Sequence, residues 1–226
     1  MTTTKPLVLV LHGPAGVGKD SLINSLRERT TIHRATSSTT RKPRTGEKDG
    51  IDYHFLNWET FGRGIDAGEF VEFAYVYGDL KGVHTSEILK PIEAGRDLII
   101  RTDVQGARTW RKKIVGAVYV FLMPGGPSWS GGSLIPVETQ GLRQLGAEIE
   151  DVRRLLQARL TDRKSESTES MERRLAEIDE EILDIPNNDY VVVNREGGLD
   201  EAVDAVQQII ERERANPARP APRLLP

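Results

Sequence analysis

The chain has 226 residues and a formal net charge of −3, which suits one ordinary domain with inserted lobes and leaves ample chain to bury a core. A balance this close to neutral excludes a global field for nucleic acid or an acidic membrane, so any basic site has to be local. Cysteine is absent, which excludes disulfides, thiolate catalysis and cysteine zinc sites, and the opening MTTTKPLVLVLHG is too short in its apolar run for a signal peptide, so the expectation is a cytoplasmic protein.

In chain order, the first predicted element is Leu7 to Leu11, a non-alternating apolar run of the kind that forms a strand buried on both faces. Residues 13 to 20 follow as GPAGVGKD, and a helical pattern carrying Leu22 and Leu26 comes next. The pattern G-x-x-x-x-G-K between a strand and a helix is a phosphate loop. Its glycines let successive backbone N–H groups converge on phosphate oxygens, and the helix adds its positive N-terminal end. Gly13, Pro14, Ala15, Gly16, Val17, Gly18, Lys19, Asp20 and Ser21 are therefore expected to hold a nucleoside triphosphate, with Lys19 neutralising its β and γ phosphates. A Ser or Thr usually follows that lysine and meets Mg²⁺. Here Asp20 does, with Ser21 one residue late, so Asp20 is expected either to hold the metal that accompanies ATP or to be neutralised by a neighbour.

Residues 37 to 55, SSTTRKPRTGEKDGIDYHF, place two arginines three apart after a run of hydroxyls and before a tyrosine. Arginine forks bind a phosphate in bidentate fashion, so Arg41 and Arg44 with the hydroxyl of Tyr53 read as a clamp on an acceptor phosphate. A solvated charged loop is the default for such runs, but it leaves the company of a phosphate loop unexplained. From 52 to 83 the segments DYHFL and EFVEFAYVY alternate between glycine-marked turns, which predicts a small, mostly antiparallel lobe.

Further apolar runs, Leu98 to Ile100, Ala117 to Met123 and Tyr190 to Val193, alternate with helical patterns, the last being Leu199 to Ile210. Strands alternating with helices predict an α/β fold, a parallel sheet flanked by helices. The Gly-, Pro- and Ser-rich stretch 124 to 141 reads as an irregular insertion, residues 142 to 184 as a helical region, and the last ten residues, with four prolines, as a disordered tail.

Together these residues resemble guanylate kinase. The match runs from Leu7 to Ile210 apart from the insertion, and the 37 to 55 segment carries the family's acceptor signature: Ser37, Arg41, Arg44, Glu47, Gly50, Tyr53 and Phe55. The resemblance implies one domain over 5–214, with a core of 5–35, 85–123 and 185–214, an acceptor lobe at 36–84, a helical lid at 142–184 and a tail at 215–226. It implies that Ser37, Arg41, Arg44 and Tyr53 bind GMP at its phosphate end, and that Glu72 and Asp103 read the guanine; Lys81, standing where the family has tyrosine, is expected to meet the same phosphate. It further implies that Arg159, Arg163 and Arg174 close the lid over ATP, and that Asn194 lies near the adenine. Read alone, Asp103 is a helix N-cap, Glu72 an exposed strand residue and Asn194 turn chemistry. The activity implied is phosphoryl transfer from ATP, with Mg²⁺, to GMP and dGMP. Neither nucleic acid nor membrane is expected as a partner.

Three departures from the family pattern accompany Asp20. Arg101 stands where the first of two aspartates is usual, Lys81-Gly82-Val83 replaces Tyr-Gly-Ser/Thr, with Ser86 nearby as a substitute hydroxyl, and the 124–141 loop is long. Asp20 and Arg101 are expected to be neighbours, so the two exchanges read as one compensated ion pair. Two alternatives stay open from sequence. One is a related kinase acting on ribose 1,5-bisphosphate, whose phosphate loop also carries GKD. The other is a non-catalytic guanylate-kinase-like binding module.

Overall fold

The computed structural model describes residues 5–14, 16–76, 78–125, 133–136 and 181–225. Ala15, most of the 124–141 insertion and residues 142–180 of the expected lid, with Arg159, Arg163 and Arg174, lie outside the described residues.

The apolar runs form the centre of a six-stranded sheet. β1 (Val8–His12) is flanked by β7 (Leu98–Arg101) and β9 (Ala117–Pro124), β9 by β11 (Tyr190–Asn194), and β7 by β2 (His33–Arg34), all parallel. β10 (Leu134–Pro136) adds to β11 antiparallel. The sequence expectation of an irregular loop across 124–141 is thus corrected at residues 134–136, where Ile135 pairs with Val191.

The lack of alternation in β1 has a direct cause. Leu7, Leu9 and Leu11 pack on one face with Leu22 and Leu26 of α1 (Lys19–Arg29) and with Val203, Val206 and Ile209 of the C-terminal helix (Leu199–Ala215). Val8 and Val10 pack on the other face with Ile88 of α3 (Thr85–Glu93) and with Ala107 and Trp110 of α4 (Val104–Lys113). Both faces are covered, so Val8 to Leu11 are all apolar, and only His12, at the end of the strand, is polar. The C-terminal ends of the parallel strands converge on the phosphate loop, where the crevice of an open α/β sheet holds its ligand.

A second sheet, in the order β4 (His54–Phe55), β3 (Ser38–Thr39), β6 (Asp79–His84), β5 (Phe70–Val76), forms the small lobe. Its β3–β6 and β5–β6 pairs are antiparallel and its β3–β4 pair is parallel. α2 (Trp58–Asp66) joins β4 to β5 and is capped by Asn57, whose side-chain oxygen accepts from the Thr60 N–H at 2.7 Å. No helix among the described residues is long and apolar enough to cross a membrane.

The tail departs from the disorder expected of its prolines. β12 (Arg223–Leu224) pairs antiparallel with β8 (Ile114–Val115), and the Leu225 N–H reaches the Lys113 carbonyl at 2.7 Å. Arg219 is buried and donates to the carbonyls of Glu213 at 2.9 Å, Pro6 at 3.0 Å and Lys5 at 3.1 Å. Proline costs a segment N–H donors rather than its ability to lie extended, and a single arginine supplies the donors that fasten this one. Arg219→Ala removes charge-assisted bonds, each contributing about 2 kcal/mol. The expected result is a lower urea midpoint.

Candidate functional site

The phosphate loop is shaped by close contacts and positive φ angles that favour glycine. A Cβ on Gly13, at φ 141°, would lie 2.1 Å from the Leu122 carbonyl oxygen, and one on Gly18, at φ 98°, would lie 2.6 Å from the Asn194 amide nitrogen. That amide donates to the Val17 carbonyl at 2.8 Å. Asn194, at the end of β11, is thus a brace for the loop, a contact its strand-end position alone did not reveal. Lys19 is 8% exposed, and its ammonium donates to the carbonyls of Gly13 and of Pro14, the latter at 2.9 Å. Burial, and next the Arg101 guanidinium, push its pKa down to about 8. Gly16 lies in the same loop with φ 82°, and Ser21 is exposed in the first turn of α1.

Asp20 and Arg101 meet as the exchange of residue types predicts. Asp20 Oδ2 lies 3.0 Å from the Arg101 guanidinium, and its other oxygen, Oδ1, lies 3.1 Å from that of Arg34. Arg34, at the end of the short β2, carried no sequence signal. Asp20 is thus neutralised by two neighbours, which is one of the two outcomes expected of a carboxylate at this position. Among the described residues no group of three or more His, Asp or Glu side chains is placed to hold a metal ion.

The acceptor segment folds back along β3 and β4 and lines a cleft of about 530 Å³ with Arg41, Arg44, Tyr53, Lys81, Asp20 and Arg101. Arg41 is held on several sides. It donates to both oxygens of Glu47 at 2.8 and 2.9 Å and to the Lys42 carbonyl at 2.7 Å, and it lies 5.4 Å from the Tyr53 ring centroid and 5.8 Å from that of Phe55. Glu47 also accepts from the Arg44 N–H at 2.7 Å, so one carboxylate sets the backbone and side chain of the clamp together. That backbone hydrogen bond, ahead of the Arg41 contacts, lowers the Glu47 pKa. The signature named Glu47, but its bracing role depends on the turn that brings residues 44 and 47 together. Ser37 is half-buried immediately before β3, with its carbonyl accepting from the His54 N–H at 2.9 Å. Lys81, on β6, has its pKa lowered first by burial and then by Arg101 and Arg41.

The two acids expected to read guanine meet at one helix. Asp103 caps α4, with Oδ1 accepting from the Gly106 N–H at 2.7 Å. The capping role seen in the sequence is therefore real, and it engages one oxygen of the carboxylate. Two turns further on, Trp110 donates its indole N–H to Glu72 Oε1 at 3.2 Å. Glu72 is partly buried rather than exposed. Burial, and next the Asp103 charge, raise its pKa to about 7, against the lowering effect of Trp110. Trp110 was missed in the sequence because helical spacing marks it as core, and it is core, fully buried, except for this one nitrogen.

If Glu72 accepts from a base edge that donates two hydrogens, the ionised form is favoured, and binding would lower its pKa and release a proton. GMP affinity should therefore fall by up to about tenfold per unit as pH drops below 7 and level off above about 8. Calorimetry in buffers of different ionisation enthalpy should detect roughly half a proton released at pH 7, and Glu72→Gln should abolish that release.

A family model described as guanylate kinase matches residues 3–154. The chain is 38% identical over 214 residues to "Guanylate kinase 2, chloroplastic/mitochondrial" of rice (Oryza sativa subsp. japonica), covering 93% of this chain and 66% of that protein. It is 34% identical over 214 residues to guanylate kinase of Halalkalibacterium halodurans, covering 94% and 91% of the two chains, and 38% identical over 194 residues to that of Mycobacterium tuberculosis, covering 83% and 79%. Among solved structures, guanylate kinase from Anaplasma phagocytophilum superposes with a TM-score of 0.62 at 26% identity, covering 96% of this chain and 90% of that one. With a phosphate loop facing a preset arginine clamp, and likeness that extends along most of the chain, the protein belongs to the guanylate kinase family and is a nucleoside monophosphate kinase.

Proposed function

We propose that this chain transfers the γ-phosphate of ATP to GMP, and to dGMP, giving ADP and GDP or dGDP. The observation that carries the reading is the pair Glu72 and Asp103 gathered at α4. A carboxylate accepts from the guanine N1–H and exocyclic amino group together, whereas adenine offers an acceptor at N1. A kinase that selected another acceptor would have no use for two acids at this place.

The backbone N–H groups of the phosphate loop, Pro14 having none, and Lys19 take the triphosphate of ATP, and Ser21 with Asn194 bounds that side of the site. Ser37, Arg41, Arg44, Tyr53 and Lys81 take the acceptor phosphate. Catalysis is then positioning and electrostatics: the acceptor phosphate oxygen is already nucleophilic, so no general base is required. Arg41 reaches the site with its geometry fixed by Glu47 and the rings of Tyr53 and Phe55, which lessens the entropy lost on binding. By the family resemblance, Arg159, Arg163 and Arg174, which lie outside the described residues, are the cations expected to add charge around the transferred group. Mg²⁺ accompanying ATP would supply charge neutralisation at the phosphates, and Asp20 stands beside the phosphate loop already paired with Arg101 and Arg34.

An assay of ADP formation with GMP, dGMP, AMP, UMP and ribose 1,5-bisphosphate tests the reading. The expected result is turnover of GMP and dGMP at least about a hundredfold above the others. Turnover confined to ribose 1,5-bisphosphate, or nucleotide binding without turnover, would replace it with one of the two alternatives.

A further inference from the structure

We propose that Arg101 is a phosphate-contacting residue between the donor and acceptor ends of the cleft, held there by Asp20, and that it supplies positive charge which kinases otherwise draw from Mg²⁺. This rests on the reading that the cleft joins ATP to GMP.

Position comes first. Arg101 ends β7 and pairs in register with Leu11, two residues before the phosphate loop begins at Gly13. It also stands two residues before Asp103, which caps α4. Its backbone thus lies between the loop that takes the donor and the acid that reads the acceptor base, and its side chain lines the cleft beside Arg41 and Lys81.

Charge points the same way. After burial, Arg101 is the largest cause lowering the pKa of both Lys19 and Lys81. One of these lysines belongs to the phosphate loop and the other to the acceptor lobe. A guanidinium that disturbs both ammonium groups is within reach of both, and three cations held together favour a polyanion. Asp20 draws Arg101 and Arg34 inward through one oxygen each, and the trio keeps a net charge of +1. The Arg101 Nε–H is buried and has no partner among the described residues, a donor that a phosphate oxygen would satisfy. Where the family pattern has a carboxylate at this position, the arginine changes the local charge by two units and sets a fixed cation beside the phosphates.

The experiment titrates a dinucleoside pentaphosphate joining adenosine to guanosine, with Mg²⁺ and with a chelator, into the wild type, Arg101→Met and the double variant Asp20→Ser/Arg101→Asp. Chelation should weaken wild-type binding by less than about tenfold and the double variant by more than about a hundredfold, and Arg101→Met should lose about a hundredfold for the joined ligand. Equal sensitivity of wild type and double variant to chelation, or undiminished binding by Arg101→Met, would overturn the proposal. GMP titrated alone separates the two readings: wild type that takes up GMP but shows either of those results defeats only the role of Arg101, whereas no uptake of GMP defeats the acceptor assignment beneath it.

Discussion

Lys19→Met is expected to lower kcat for GMP phosphorylation by about a thousandfold, with GMP affinity in the absence of ATP unchanged within about twofold. Methionine keeps the length and apolar stem of lysine, so the loss reports the ammonium. In the protein that ammonium rests on the carbonyls of Gly13 and Pro14, at the mouth of the loop whose amides converge on phosphate. Burial and Arg101 depress its pKa to about 8. A triphosphate would raise it again, so ATP binding at pH 8 should take up about half a proton, while GMP binding near pH 7 should release about half a proton through Glu72. The opposite signs allow calorimetry to assign each ligand to its end of the cleft. Steady-state kinetics with a GMP titration would check the first result; a variant that retained more than about a tenth of wild-type kcat would remove Lys19 from the reaction.

Arg41→Lys is expected to cost about a hundredfold in kcat/KM for GMP, with KM for ATP little changed. The substitution preserves charge but loses the fork. Arg41 spends part of its donor set on Glu47 and the Lys42 carbonyl, and these contacts orient the remainder toward the cleft. A lysine can satisfy Glu47 or a phosphate oxygen, but its single ammonium cannot bridge both with fixed geometry. Glu47 itself becomes testable through the same logic: Glu47→Gln keeps an acceptor for the Arg44 N–H and loses the ion pair, so its effect should be smaller than that of Arg41→Lys and should appear in KM for GMP.

Much of this architecture was legible in the sequence because its signals are local. LVLVL before GPAGVGKD specifies strand, turn and helix within a few residues of one another, and the uninterrupted apolar runs mark strands covered on both faces. The clamp was legible for a similar reason: Arg41, Arg44, Glu47 and Tyr53 sit on one short segment. The features that escaped depend on distant chain. β2, β3, β4, β8 and β12 are two residues long, too short to carry a periodic pattern. Trp110 and Glu72 are far apart in sequence and meet only because β5 packs near α4. Arg34 joins Asp20 across the end of β2, and Arg219 reaches back to Lys5 and Pro6 at the other end of the chain. The proline-rich composition of the tail gave no warning of that contact, since composition measures what a segment lacks rather than what one of its side chains can reach. Asp20 and Arg101 are the instructive middle case. They are also distant in sequence, yet two departures from one family pattern, opposite in sign, pointed to a contact that the geometry places at 3.0 Å.

The most direct measurement is calorimetric titration of GMP, IMP and AMP into the protein at pH 8, with a non-hydrolysable ATP analogue present. The arginine clamp with Glu72 and Asp103 requires saturable GMP binding, weaker IMP binding because the exocyclic amino group is missing, and AMP binding weaker than GMP by about a hundredfold or more. Equal heats for GMP and AMP, or no GMP binding at millimolar concentration, would contradict it.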